Sequence, residues 1–311
     1  MLWEHYSTVK LPSQQASSVK RRYGVTSHVL SYRRCSRQYG QMVERRYEPA
    51  LAVQLFYGTI VHQVLDLAHA HYAGRVAPEL QGHVPSEDDI ERYFTEVENG
   101  LRARRVYAVA NIREHALKVL KRFNALEGPT LYARVLDTEC RLQADRGSYI
   151  LHGMVDVLAR GRESDESGKD GSGMANVELW DYKGTKKPSR ASRYFRDHLF
   201  QMRVYADLYR LKEGRLPRQG VLYFLNELGD DPAPTARPVN AVMMVTFDEE
   251  SIREATASFE KTVADIEGCR LRRQWPSPSS APPGETCDAC DLRWDCDAAR
   301  RFRRNYRMIY P

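Results

Sequence analysis

The sequence predicts an α/β fold, and three observations carry that prediction. Apolar residues recur with a period near two over 135–142, 149–159 and 177–183, and 221–225 and 241–247 are further short apolar strand segments. They recur at helical spacing after residue 58 and again over 113–126, 192–213 and 249–268. At 311 residues, 42% hydrophobic and 28% charged, the chain has enough apolar surface to bury a substantial core.

Taken in order, residues 1–25 are polar and basic, with Lys10, Lys20, Arg21 and Arg22, and predict an extended lead-in. Residues 26–74 predict N-terminal helices: a short one over Ser27–Tyr39 that carries Cys35, then one that follows Pro49 and carries His62. On the latter, Val61, Val64, Leu65 and Ala68 form a buried stripe. Residues 75–130 predict a helical insertion. Ser86 opens its first helix with Glu87, Asp88 and Asp89 in the first turn, where the helix dipole favours acids. Its second helix, Arg113 to Leu126, ends at Gly128-Pro129.

Residues 131–268 predict the core. Two strands meet at a turn over Asp145–Ser148, and a polar Gly/Ser/Asp-rich loop over 161–175 leads to Val177–Lys183. The helix over 192–213 gathers Leu199, Met202, Ala206 and Tyr209 on one face. Val221–Leu225 has no polar interruption, which suits a strand inside a sheet. Residues 269–311 hold a Pro/Ser-rich linker and a Cys-rich tail. The whole chain is expected to be one domain.

Composition removes several classes of function. No apolar run is long enough to span a bilayer, and Met1–Tyr6 lacks the apolar core of a signal peptide, so a cytoplasmic protein with no membrane partner is expected. Its six cysteines then predict thiols or metal ligands rather than disulfides. A net charge of +6 leans weakly towards an anionic partner. There is no GxxxxGK[ST] loop, so a motor, if one is involved, is another polypeptide.

Chemistry concentrates in Val177-Glu178-Leu179-Trp180-Asp181-Tyr182-Lys183-Gly184. A strand points Asp181 and Lys183 to one side, where a carboxylate can hold a cation and an ammonium can handle a water. Asp156 lies on the preceding strand, within reach of the same sheet edge. Phosphodiester hydrolysis needs a cation to polarise the phosphate, an aligned water and somewhere for charge to go, and Mg²⁺ takes oxygen ligands. A lone D-x-K triplet is more often a solvated charge pair. His62, Asp66 and His69 share one helical face that binds a stray metal or nothing. Glu139 and Glu178 are nearby acids that could serve a second metal, but Glu178, three residues from Asp181, faces the other way on a regular strand, and both read rather as structural.

The tail reads Cys287-x2-Cys290-x5-Cys296. Thiolates in such a pattern suit tetrahedral zinc or an iron–sulfur cluster, and three of them need a fourth. Arg300, Arg301, Arg303 and Arg304 follow with interleaved aromatics, a composition that suits phosphate contact and stacking, or equally a solvated helix end.

Five motifs stand in a familiar order: a helical cysteine, G-T-x-V-H (Gly58–His62), G-x-x-D (Gly153–Asp156), D-Y-K (Asp181–Lys183) and Q-x-x-x-Y (Gln201–Tyr205). In this order the chain resembles the RecB-like branch of the PD-(D/E)XK nuclease superfamily, from about Ser27 to Cys296. The likeness is greatest to members with an iron–sulfur cluster, the AddB nuclease domain and the CRISPR-associated RecB-like nucleases. The resemblance implies a restriction-endonuclease-like core, a mixed central sheet flanked by helices. It implies Mg²⁺ or Mn²⁺ on His62, Asp156, Asp181 and the Tyr182 carbonyl, with Lys183 serving the attacking water or the phosphate. Gln201 and Tyr205 would brace the site or touch the strand.

The resemblance also implies Cys35 as the fourth ligand of a structural 4Fe-4S cluster, with zinc as the other occupant. The activity implied is an exonuclease on DNA ends or single strands, in repair with a helicase or in phage defence and CRISPR adaptation. A non-cleaving DNA-end-binding subunit is the competing expectation, and the helical insertion favours a helicase-associated role. Two positions depart from the family: Val157, where Arg is frequent, and Met154, where a basic or polar residue is frequent.

Overall fold

The computed structural model describes residues 20–47, 53–161, 176–278, 282, 286, 287, 290–293, 296 and 297. The first nineteen residues, most of the 161–175 loop and the arginine tail with Arg300, Arg301, Arg303 and Arg304 lie outside the described residues. Among the described residues no helix is long and apolar enough to cross a membrane.

Among the described residues six strands form one mixed sheet. They are β1 (Arg21–Gly24), β2 (Val135–Asp145), β3 (Tyr149–Arg160), β4 (Val177–Lys183), β5 (Gln219–Phe224) and β6 (Val242–Thr246). β2 and β3 make an antiparallel hairpin, and β4 pairs antiparallel with the far end of β3. β5 runs parallel to β4, and β6 closes the edge antiparallel to β5. The end of the predicted lead-in is therefore corrected: Arg21–Gly24 is a strand, lying parallel to Tyr149–His152. Tyr23 gives the physical reason. It is fully buried and its hydroxyl bonds Glu267 and Arg270, which anchors an otherwise polar segment.

Helices cover both faces. After β1 come two short helices, α1 (Ser31–Arg34) and α2 (Ser36–Tyr39), then α3 (Val53–Tyr72), α4 (Glu87–Ala103) and α5 (Ala110–Leu131). α6 (Arg193–Glu213) and α7 (Glu249–Arg272) follow β4 and β6. Met202, Ala206, Leu208, Phe259 and Val263 of α6 and α7 pack with Leu151, Val155 and Leu179 of the sheet. Ile60, Leu65, Phe94, Leu120 and Phe123 of α3, α4 and α5 pack with Val157, Trp180 and Tyr223 on the other face. Helices α4 and α5 thus do not stand off as an appendage; with α3 they roof half of the core.

Local chemistry explains the boundaries. Ser86 and Asp89 form a reciprocal capping box at the start of α4, a device that contributes about 1 kcal/mol. Ser192 caps α6, which ends at Gly214 with φ of 76°, a left-handed turn that glycine adopts without strain. The expected stop at Gly128-Pro129 is corrected, because α5 continues to Leu131. Gly128 serves close packing instead: a β-carbon there would sit 2.9 Å from Val84. Buried Leu131 holds the last turn despite the missing Pro129 N–H.

Candidate active site

The site grows out of a break in the sheet. β3 pairs with β1 along its first half and with β4 along its last residues, on the same edge. The β3–β4 ladder begins at Val157–Trp180, so β4 leaves it at Asp181 and Tyr182. Asp156 replaces the lost backbone partner: its Oδ2 accepts from the Tyr182 N–H at 2.6 Å. The β2–β3 hairpin turns over at the same point. Val155 packs into the α6–α7 core and Val157 into the α3–α5 core, although two residues apart on a strand share a face. Glu139, opposite on β2, has φ of 49°, a strained value for a residue with a side chain.

Side chains from four elements converge on a cleft of about 940 Å³. His62, from α3, places Nδ1 3.4 Å from Asp156 Oδ1. Lys183 Nζ lies 2.5 Å from Asp181 Oδ2 and donates to Gln201 Oε1 at 2.9 Å. Gln201 Nε2 in turn donates to Asp181 Oδ1 at 2.8 Å and reaches the Tyr205 hydroxyl at 3.0 Å. Gln201 and Tyr205 stand one turn apart on α6, and Gly153 makes room for them: a β-carbon there would lie 2.5 Å from the Tyr205 ring. The Tyr182 ring points into the α3–α5 core, with its hydroxyl 3.0 Å from His69 Nε2, so Tyr182 presents main chain to the cleft.

Two buried carboxyls are driven apart. Burial pushes Asp156 up, but the charge and hydrogen bond of His62 and the Tyr182 N–H outweigh it and hold Asp156 below the usual carboxylate range. Asp181 is pushed upward by burial, with the Asp156 charge adding to it and Lys183 opposing. Its Oδ2 sits beside Lys183 without an aligned hydrogen bond. Burial lowers His62, yet Asp156 and then Asp181 raise it to about 9. The arrangement is short of positive charge.

A divalent cation fits that shortage. Among the described residues, His62, Glu139 and Asp156 bring one ligand atom each within 4.8 Å of one another, an oxygen-rich set that suits a hard cation. Glu139 is therefore corrected from a structural acid to a member of this group. The observed register, with Asp145 opposite Ile150, sets position 139 across from 156, whereas counting back from the Asp145–Ser148 turn sets it across from 154. Glu178 is structural: it is buried and bonded by Arg134, Trp180 and Gln219. His69 is a core histidine rather than a ligand, with burial lowering it to about 3.

The cysteines divide in two. Cys140 and Cys269 are buried thiols in β2 and α7. Cys35 sits at the extended break between α1 and α2, where its sulfur accepts from Gln38 N. Burial pushes its thiol pKa up, against the Gln38 N–H, and the charges of Cys296 and Cys290 add to the rise. Gln38 also donates to Thr286 O at 3.4 Å, beside Cys287.

A model of the PD-(D/E)XK nuclease superfamily matches residues 26–297. Comparison with curated proteins finds no match. Among solved structures, the chain is similar to a candidate exonuclease from Eubacterium rectale, at 11% identity and a TM-score of 0.49, covering 98% of this chain and 94% of that one. It is also similar to a protein named SSO0001, at 14% identity and a TM-score of 0.35, covering 95% and 91%.

Proposed function

The chain belongs to the PD-(D/E)XK nuclease superfamily, and from that premise we propose that it is a Mg²⁺- or Mn²⁺-dependent deoxyribonuclease working on DNA ends or single strands. The observation that carries this reading is the pair of buried carboxyls, Asp156 and Asp181, with His62 and Lys183 beside them in one cleft. His62, Asp156 and Glu139, with Asp181 and the Tyr182 carbonyl adjoining, would hold the cation. When bound, the cation supplies a Lewis acid for the scissile phosphate.

The chain's own groups do the rest. Asp181 and Gln201 fix the Lys183 ammonium, which places its positive charge and its donors towards the cleft, where it aligns the attacking water and meets the developing charge on phosphate. Tyr205 locks Gln201, so the ammonium has one orientation. The Asp156 side chain, already committed to the Tyr182 N–H, keeps β3 and β4 at a fixed separation.

The reading extends to a structural 4Fe-4S cluster on Cys35, Cys287, Cys290 and Cys296. The tail's approach to Cys35 supports it, and such a cluster would supply a covalent clasp rather than redox chemistry. Pathway roles that fit are end processing beside a separate helicase and phage defence or CRISPR adaptation. The deciding experiment incubates purified protein and Mn²⁺ with end-labelled single-stranded DNA. Asp181→Ala and Lys183→Ala should each lose roughly 10³-fold in rate; equal rates in all three proteins defeat the proposal.

A further inference from the structure

The cleft is acidic for something that holds a polyanion. Its lining carries Asp66, Glu139, Asp156 and Asp181 against Lys183 and His62. A strand bound there by its phosphates needs cationic contacts just outside. The β2–β3 hairpin offers them. Beyond the turnover at Glu139 and Asp156, Cys140, Leu142, Leu151 and Val155 face the α6–α7 core. Their neighbours Arg141, Gln143, His152 and Met154 take the opposite face.

On that face Arg141 stands directly across from Met154, one cross-strand pair beyond the acidic centre. Arg141 is exposed and makes no hydrogen bond or ion pair among the described residues. Met154 is 39% exposed and lines the cleft. The next pair is Gln143 with His152, and Arg22 of β1 reaches over to Gln143 Oε1 at 3.0 Å. A cation and an apolar surface thus stand side by side next to the cleft, with a second cation at the following same-face rung towards the hairpin turn.

Resting on the nuclease reading for its location, we propose that this hairpin face is the seat of a single DNA strand leading into the cleft. Arg141 and Arg22 contact successive phosphates, and an unpaired base lies on Met154. A paired base has its faces covered by its neighbours in the stack, so Met154 selects a strand that has come apart.

The test measures binding of a labelled oligodeoxynucleotide, long enough to pass the cleft, to the full chain in EDTA across a salt series. Cleavage with Mn²⁺ is measured in parallel. Arg141→Ala should weaken binding about tenfold and reduce the slope of log affinity against log salt by about 0.7, the loss of one single-strand phosphate contact. Met154→Ala should weaken binding to the intact strand, and an abasic site at one position should erase the difference between Met154→Ala and wild type. Arg253→Glu, a reversal of an exposed arginine on α7, serves as the control.

Wild-type affinity and slope in Arg141→Glu, with DNA still bound, overturn the seat. Unchanged KM in Arg141→Glu alongside cleavage overturns the seat and leaves the nuclease reading standing. Binding through Arg141 without cleavage under any cation overturns the nuclease reading and leaves the seat standing.

Discussion

The acidic centre and the cysteine segment both join residues far apart in the chain, but different forces hold them. The centre collects His62, Asp156, Asp181, Lys183 and Gln201 from α3, β3, β4 and α6, all anchored in elements that pack into the two cores. Its members interact with each other at 2.5–3.4 Å and are buried unfavourably, as the upward push on Asp181 shows. The cysteine segment is the reverse. Cys35 lies at a break between two four-residue helices, and the segment after α7 meets this break through the Trp275 ring against Tyr32 and Tyr39, Ser36 Oγ to Pro276 O at 2.8 Å and Gln38 to Thr286 O. A framework can carry an electrostatically costly centre only if something else supplies stability; the cluster proposed above would add a link between the tail and Cys35.

The largest predicted effect breaks that second region. A link between Cys35 and Cys287 closes a loop of 252 residues (287 − 35). By analogy with a disulfide this is worth up to about 5 kcal/mol, taken as an upper figure. On the cluster proposed above, Cys287→Ser should lose iron and fall several kcal/mol in urea unfolding. Lys183→Ala, which removes a side chain only partly buried, should stay within about 1 kcal/mol of wild type. If Lys183→Ala proves the more destabilising, the contrast between the two regions is wrong.

A smaller effect sharpens the first region. A cation that binds only the folded centre stabilises the protein by about 2.7 kcal/mol at a concentration one hundred times its Kd. Mn²⁺ should raise the wild-type Tm by a few degrees. Asp156→Asn should lose most of that rise, because the ligand group built on His62, Glu139 and Asp156 is weakened. An equal rise in both proteins would place the cation elsewhere.

Much of this was legible in the sequence. The strand parity that puts Asp181 and Lys183 on one side needs only a period of two, and the spacing of Gln201 and Tyr205 only a period of 3.6. What escaped depends on non-local geometry. The β1 strand is polar outside and is specified by one tyrosine packed beneath α7. Glu139 enters the centre through a positive φ and a hairpin that turns over, neither of which leaves a local pattern. Pro129 stays helical because of the core around Leu131, against its own propensity.

The smallest effect probes what supports the centre from below. His69 lies under β4, its Nε2 3.0 Å from the Tyr182 hydroxyl, and burial lowers it from 6.5 to about 3. The folded state thus resists a proton that the unfolded chain accepts. Its contribution is fully present above the unfolded value of 6.5 and is lost as pH falls from there towards 3. Each such histidine adds a slope of up to about 1.4 kcal/mol per pH unit in that window. His198, lowered to about 3 by burial with Lys183 adding to it, acts in the same direction. Urea unfolding at pH 5 and pH 7 should show wild type weaker at pH 5. His69→Gln, which keeps a donor and an acceptor for Tyr182 but does not titrate, should reduce that pH dependence by about one proton's slope. An unchanged slope would mean that His69 is not held neutral, and that the floor beneath Asp181 is wetter than the buried contact with Tyr182 implies.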